Sequence, residues 1–104
     1  MTVPQERPPF IRALTASDRP RRHWCYSLPD DGSQVLFETV VVDGAMVAIR
    51  QVVVDADGTT HRYGADHLED ERGFLADQPI PDSAVTDGLR SISAEQFAAA
   101  WFGA

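Results

Sequence analysis

The stretch QVLFETVVVDGAMVAIRQVVV, residues 34–54, decides how this chain is read. Residues 34–42 and 46–54 are both rich in β-branched side chains, which suit a pleated and partly buried surface. Between them stands Asp43-Gly44, a pair that accepts positive φ at both positions and so favours the two-residue turn of a β-hairpin. With that turn Val42 faces Ala45, Val40 faces Val47 and Glu38 faces Ile49. A turn one residue longer sets Glu38 directly opposite Arg50 instead, and the residues alone leave both registers open. In the first register one face carries Leu36, Val40, Val42, Val47 and Ile49, and the other Val35, Phe37, Val41, Met46, Val52 and Val54. Apolar content on both faces predicts a central hairpin covered on two sides.

On the N-terminal side of the hairpin, Trp24, Tyr26 and Leu28 alternate with His23, Cys25 and Ser27, a period of two that predicts a strand. Pro29-Asp30-Asp31-Gly32 then supplies turn chemistry. On the C-terminal side, Asp55-Ala56-Asp57-Gly58 reads as a second hairpin turn, followed by a short strand over residues 59–63. Residues 64–87 read as a long connection over the surface or one sheet face. Pro79 and Pro81 bar helix there, and one helical turn is expected at residues 66–71. Ser93 and Gln96 form a capping box, Glu95 suits the start of a helix, and Gly103 suits its end. Ala94, Phe97, Ala98 and Trp101 fall on one stripe at helical spacing.

These elements predict an α+β fold: an antiparallel meander of three to four strands packed against a C-terminal amphipathic helix. The length of 104 residues fits one domain, which the pattern places at residues 23–104. Residues 1–22 hold Pro4, Pro8, Pro9 and Pro20 and read as a Pro/Arg-rich arm, mobile or loosely docked. Within it Phe10, Ile11 and Leu14 are the side chains able to dock on the core or on a second protomer.

The formal net charge is −7, and all nine basic residues are arginine. The first 22 residues are positive and the remainder is strongly acidic. An acidic body repels phosphate backbones, which argues against nucleic acid and suits a basic protein partner or simple solvation. No apolar run has the length of a membrane span, and no basic start precedes an apolar core as in a secretory leader. The single cysteine, Cys25, excludes an internal disulfide and fits a reducing, cytoplasmic setting. The absence of Lys and Asn, whose codons are AT-rich, suggests a GC-rich bacterial genome.

No phosphate-binding, nucleophile-elbow, zincin or clustered-cysteine motif is present. Dispersed polar residues remain. His61, Asp66, His67, Glu69 and Asp70 have the chemistry of metal ligands but not the close spacing, so no metal and no cofactor is assigned. His23 and Cys25 share one face of their strand, an arrangement able to activate a thiolate but lacking an identifiable third group. Trp24 and Tyr26 share the other face, as core or interface aromatics or as ligand stackers. Glu38 and Arg50 are the most informative pair, because each interrupts an apolar strand. A charge in such a place pairs across the sheet or lines a pocket. The candidate ligand-binding residues are therefore Glu38, Arg50, Tyr26, Trp24 and His23.

In segment order, the chain resembles a family of short, stand-alone bacterial proteins, largely actinobacterial, that is defined only as a domain of unknown function. The likeness rests on Trp24, Val35-Leu36-Phe37-Glu38, Ile49-Arg50-Gln51-Val52-Val53-Val54, Asp57-Gly58, Pro79-Ile80-Pro81, Ile92-Ser93-Ala94-Glu95-Gln96-Phe97 and Trp101. It covers residues 23–104, and this chain departs from it by a longer first hairpin and the Arg-rich arm. It implies an α+β fold and no activity.

Two functions follow as expectations. One is a non-catalytic binding or accessory protein, immunity-like or regulatory, presenting an acidic surface to a protein partner. The other is a small enzyme or ligand-binding protein of specialised metabolism, with a pocket between sheet, helix and residues 64–87. Homodimerisation through the aromatic strand or the arm is compatible with either.

Overall fold

A computed structural model describes residues 7–71, 73–76, 80 and 88–103. In chain order the elements are α1 (Arg7–Ala16), β1 (Arg22–Leu28), β2 (Ser33–Val42), β3 (Ala45–Val54), β4 (Thr60–Tyr63), β5 (Glu69–Asp70), β6 (Gly73–Phe74), β7 (Arg90–Ile92) and α2 (Ala94–Phe102). Five strands form one antiparallel sheet in the order β4-β3-β2-β1-β7. The expected meander is β1 to β4, and the expected C-terminal helix lies against it. The fifth strand is new: residues 90–92 return to pair with β1, His23 opposite Ile92. With one apolar residue in three, that segment carries no periodicity to read.

Local chemistry sets the turns. Asp43 and Gly44 adopt φ of 52° and 82°, the two-residue turn predicted from their pairing. In the second hairpin the Asp55 carbonyl accepts from the Gly58 amide, and the Asp57 carboxylate accepts from the Thr59 amide. At the β1–β2 connection the Asp31 carboxylate takes both the amide and the hydroxyl of Ser33. The first and second of these turns lie at opposite ends of the sheet, while the Asp31 turn lies beside the second: a Cβ placed on Gly32 would stand 3.3 Å from Ala56.

The hairpin combines features of both expected registers. Val42 faces Ala45 and Val40 faces Val47, as the short turn requires, yet Glu38 faces Arg50. The reason is a β-bulge: Thr39 pairs with Ala48 and Glu38 with Arg50, so Ile49 is the extra residue on β3. A bulge inserts one residue on one strand and so moves the ladder without changing the turn. Ile49 is fully buried, which anchors the irregularity in the core.

Both faces of the hairpin are covered, as predicted. On one, Cys25, Leu36 and Val52 pack against Phe97 of α2, with Ile92, Ala100 and Trp101 around them. Burying one such phenyl ring contributes about 1.5–3 kcal/mol. The larger cluster spans both faces: Val40, on the same face of β2 as Leu36, joins Ile11 and Leu14 of α1, while Ala48, opposite Thr39, belongs to it from the other face, and Ile49, Tyr63 and Leu75 complete it. The stretch read as an arm thus contains a helix whose Ile11 and Leu14 reach the core, while Phe10 is exposed. Pro8 and Pro9 lie in its first turn, where the missing amides cost no helical bond. Arg21 closes its other end, donating to the carbonyls of Thr15 and Ser17.

The helical turn expected at residues 66–71 is not formed. Gly64 and His67 bridge instead, and Glu69–Asp70 pairs antiparallel with Gly73–Phe74. Buried Gln51 holds this segment, donating to the Phe74 carbonyl and accepting from the Ala76 amide. Pro79 and Pro81 lie outside the described residues.

Candidate functional site

Strand pairing sets His23, Glu38 and Arg50 in one row across β1, β2 and β3. Glu38 lies on the middle strand of the sheet, not at an edge. Its side chain is nine-tenths buried because α2 crosses above it. One carboxylate oxygen, Oε2, is 3.0 Å from His23 Nε2. The other, Oε1, has Arg50 Nη1 at 3.4 Å and Arg21 Nη1 at 3.6 Å. These contacts balance charge but are too long or misaligned for hydrogen bonds. Oε1 is buried and has no hydrogen-bond partner among the described residues. A buried acceptor left without a donor costs about 1–3 kcal/mol, so a native protein that keeps one calls for a reason.

Above this row lies a recess of about 400 Å³. Its floor is Arg21, His23, Glu38 and Arg50, and its wall is the apolar side of α2, with Phe97 and Trp101 foremost. His23 packs on Phe97 with ring centroids 5.4 Å apart, and Phe97 stacks on Trp101 at 6.1 Å. The guanidinium of Arg50 lies over the Trp101 ring, 5.2 Å from its centroid. That arrangement holds a cation in place through the ring quadrupole while leaving its N–H edge available.

A second recess, of about 410 Å³, opens on the other side of the Arg50–Trp101 stack. Arg12 and Thr15 of α1, Arg62, Gly64, Asp66 and His67 complete its lining. Gly64 lets the Trp101 ring approach closely: a Cβ there would stand a tight 3.3 Å from it. Arg62 donates to the carbonyls of Trp101 and Ala100 at 2.6 and 3.1 Å, closing the C-terminal end of α2 as its dipole favours.

Of the residues singled out in the sequence, the fold brings Glu38, Arg50 and His23 together. Trp24 and Tyr26 point to the opposite face of β1. Trp24 is buried there and donates from its indole to Thr39. Cys25 is buried, its sulfur 3.6 Å from Arg90 Nη2, and the Nε2 of His23 is engaged by Glu38 rather than by the thiol. The metal candidates disperse. His61 pairs with Asp55, Asp66 with Arg12, and His67 with Asp70. Among the described residues no three His, Cys, Asp or Glu side chains converge as ligands.

Sequence reading missed Arg21, Arg12 and Arg62, which carry no motif. Trp101 was legible as an apolar helix residue but not as the shared wall of two recesses. No family model, curated protein or solved structure matches this chain. Among the described residues, no helix is long and apolar enough to cross a membrane.

Proposed function

We propose that this protein binds a small molecule in the recess between α2 and the sheet, using Glu38 Oε1 as the acceptor that fixes the ligand. One observation carries the reading: a carboxylate oxygen, buried in the floor of a cleft with aromatic walls, has ion-pair contacts to Arg21 and Arg50 but no hydrogen-bond donor among the described residues. A cleft of this volume with few convergent polar groups is the usual form of a small-ligand site. Phe97 and Trp101 supply apolar contact, Glu38 an acceptor, and Arg21 and Arg50 donors. The resemblance to a bacterial family of unknown function is part of this proposal and adds no activity to it. The setting proposed is cytoplasmic, on the single buried cysteine.

The test is a fragment screen followed by amide-resolved NMR on the full chain. Fragments carrying a hydrogen-bond donor should shift the amides of His23, Glu38, Phe97 and Trp101. Glu38→Gln should weaken binding by about tenfold, the worth of one charge-assisted hydrogen bond. If no fragment moves those amides, or the substitution leaves affinity unchanged, the reading fails.

A second reading has its own support. The two adjacent turns gather Asp30, Asp31, Asp55 and Asp57 at one end of the sheet, and this end would suit a basic protein partner of an immunity-like or regulatory module. Such a complex should weaken steeply as salt is raised. A partner whose affinity ignores salt would remove this reading.

A further inference from the structure

The chain carries −7 overall, yet its arginines are not spread evenly over it. Four of the nine, Arg12, Arg21, Arg50 and Arg62, line the two recesses that meet at Trp101, where they face two carboxylates, Glu38 and Asp66. The groove is therefore positive on a protein that is otherwise strongly negative. Net charge of this kind keeps a protein soluble, but it cannot explain cations gathered against the overall sign.

The donors in the groove are also incompletely used. Arg50 stacks on Trp101 and, among the described residues, donates no hydrogen bond, since its approach to Glu38 Oε1 at 3.4 Å is an ion pair only. Arg62 spends Nε and Nη2 on the end of α2, and among the described residues its second amino group makes no hydrogen bond. Arg12 gives Nη2 to Asp66 and makes no other side-chain hydrogen bond among the described residues, its side chain 59% exposed. A guanidinium set over an indole, with N–H groups not spent on hydrogen bonds among the described residues, is a site for a carboxylate or phosphate oxyanion, which it can grip through two parallel N–H groups.

Resting on the reading of a small ligand over Glu38, we infer that this ligand is an organic anion, with its acidic group between Arg12, Arg50 and Arg62, and a hydrogen-bond donor reaching Glu38 Oε1 past the Trp101 ring. The middle of such a molecule is planar and apolar, because Trp101 and Phe97 are what it crosses. Carboxylate and phosphate monoester share the required chemistry. Asp66, which pairs with Arg12 at 2.7 Å, competes with the ligand's acidic group for the same guanidinium.

The experiment titrates the full chain with three matched probes: 4-hydroxybenzoate, 4-hydroxyphenyl phosphate and neutral 4-hydroxybenzamide. Binding is followed by NMR at the Gly64, Asp66, His67 and Trp101 amides. The two anions should bind at least about tenfold more tightly than the amide, and the better of the two assigns the acidic group as carboxylate or phosphate. Their affinity should fall with salt. Arg12→Gln should weaken both anions about three- to tenfold, and Asp66→Asn should tighten them by about twofold or more. Both substitutions are at exposed side chains and leave the core intact. If the neutral amide binds as well as the acids, or if neither substitution changes anion affinity, the inference is overturned while the Glu38 recess stands. If neither anion shifts those four amides, it is overturned as well.

Discussion

Glu38 stands directly opposite Arg50, and it does so because Ile49 is bulged out of the ladder between the two strands. Without the bulge the short Asp43-Gly44 turn would set Glu38 against Ile49 and carry the arginine to the wrong face. The irregularity thus places a positive edge beside a buried carboxylate. Removing one charge of such a set costs more than removing the pair, because the remaining partners keep their desolvation cost and lose their counter-charge. Glu38→Leu should destabilise the protein by about 2–3 kcal/mol in urea unfolding, a value reduced for the partial exposure of both arginines. The double variant Glu38→Leu/Arg50→Met should recover at least about 1 kcal/mol of that loss. A single variant as stable as the wild type would mean that the row carries no coupled charge.

The N-terminal helix bears on the core. Ile11 is 1% exposed among Val40, Ile49 and Tyr63. Ile11→Ala should cost about 2–4 kcal/mol, the range for a large aliphatic side chain removed from a close-packed site. Phe10→Ala, one residue away but exposed, should cost within about 0.5 kcal/mol. Equal effects from the two would place α1 off the core.

Gln51 fastens residues 73–76 to the sheet through both ends of its amide. Gln51→Ala should lower stability by about 1–3 kcal/mol. It should also accelerate hydrogen exchange at the Ala76 amide more than at β1 or β2, because the opening it permits is local. Uniform acceleration across the sheet would count against an anchoring role.

Acid should weaken the fold through two turn carboxylates. Hydrogen bonds from the Ser33 hydroxyl and amide hold Asp31 below its ordinary value of 3.8, and the Thr59 amide does the same for Asp57. A carboxyl whose value is lower in the folded state than in the unfolded chain adds stability above the unfolded value. That stability is lost as pH falls through the folded one. The urea midpoint should therefore drop below about pH 4. Asp31→Asn, which cannot titrate, should make that drop shallower. An unchanged slope would show that the Ser33 hydrogen bonds do not favour the charged form.

What the residues alone determined is local. Asp43-Gly44, Asp57-Gly58 and the Ser93–Gln96 box act over two to four positions, through φ preference and side-chain bonds to the nearest amides. The alternation around them set the strands and the face of α2. Glu38 and Arg50 were legible because a charge inside an apolar strand has few ways to be satisfied.

What the tertiary structure decided is everything that joins distant residues. The bulge at Ile49 leaves no mark in composition, since every nearby residue suits either register. Arg90–Ile92 becomes a strand only because β1 offers an open edge. Arg12, Arg21 and Arg62 are unremarkable polar residues one at a time, and they converge on Trp101 only when α1 and α2 come to rest on the same sheet. Local chemistry is written within a few residues, whereas the energy of bringing far segments together comes from burial shared among them, which no one segment carries by itself.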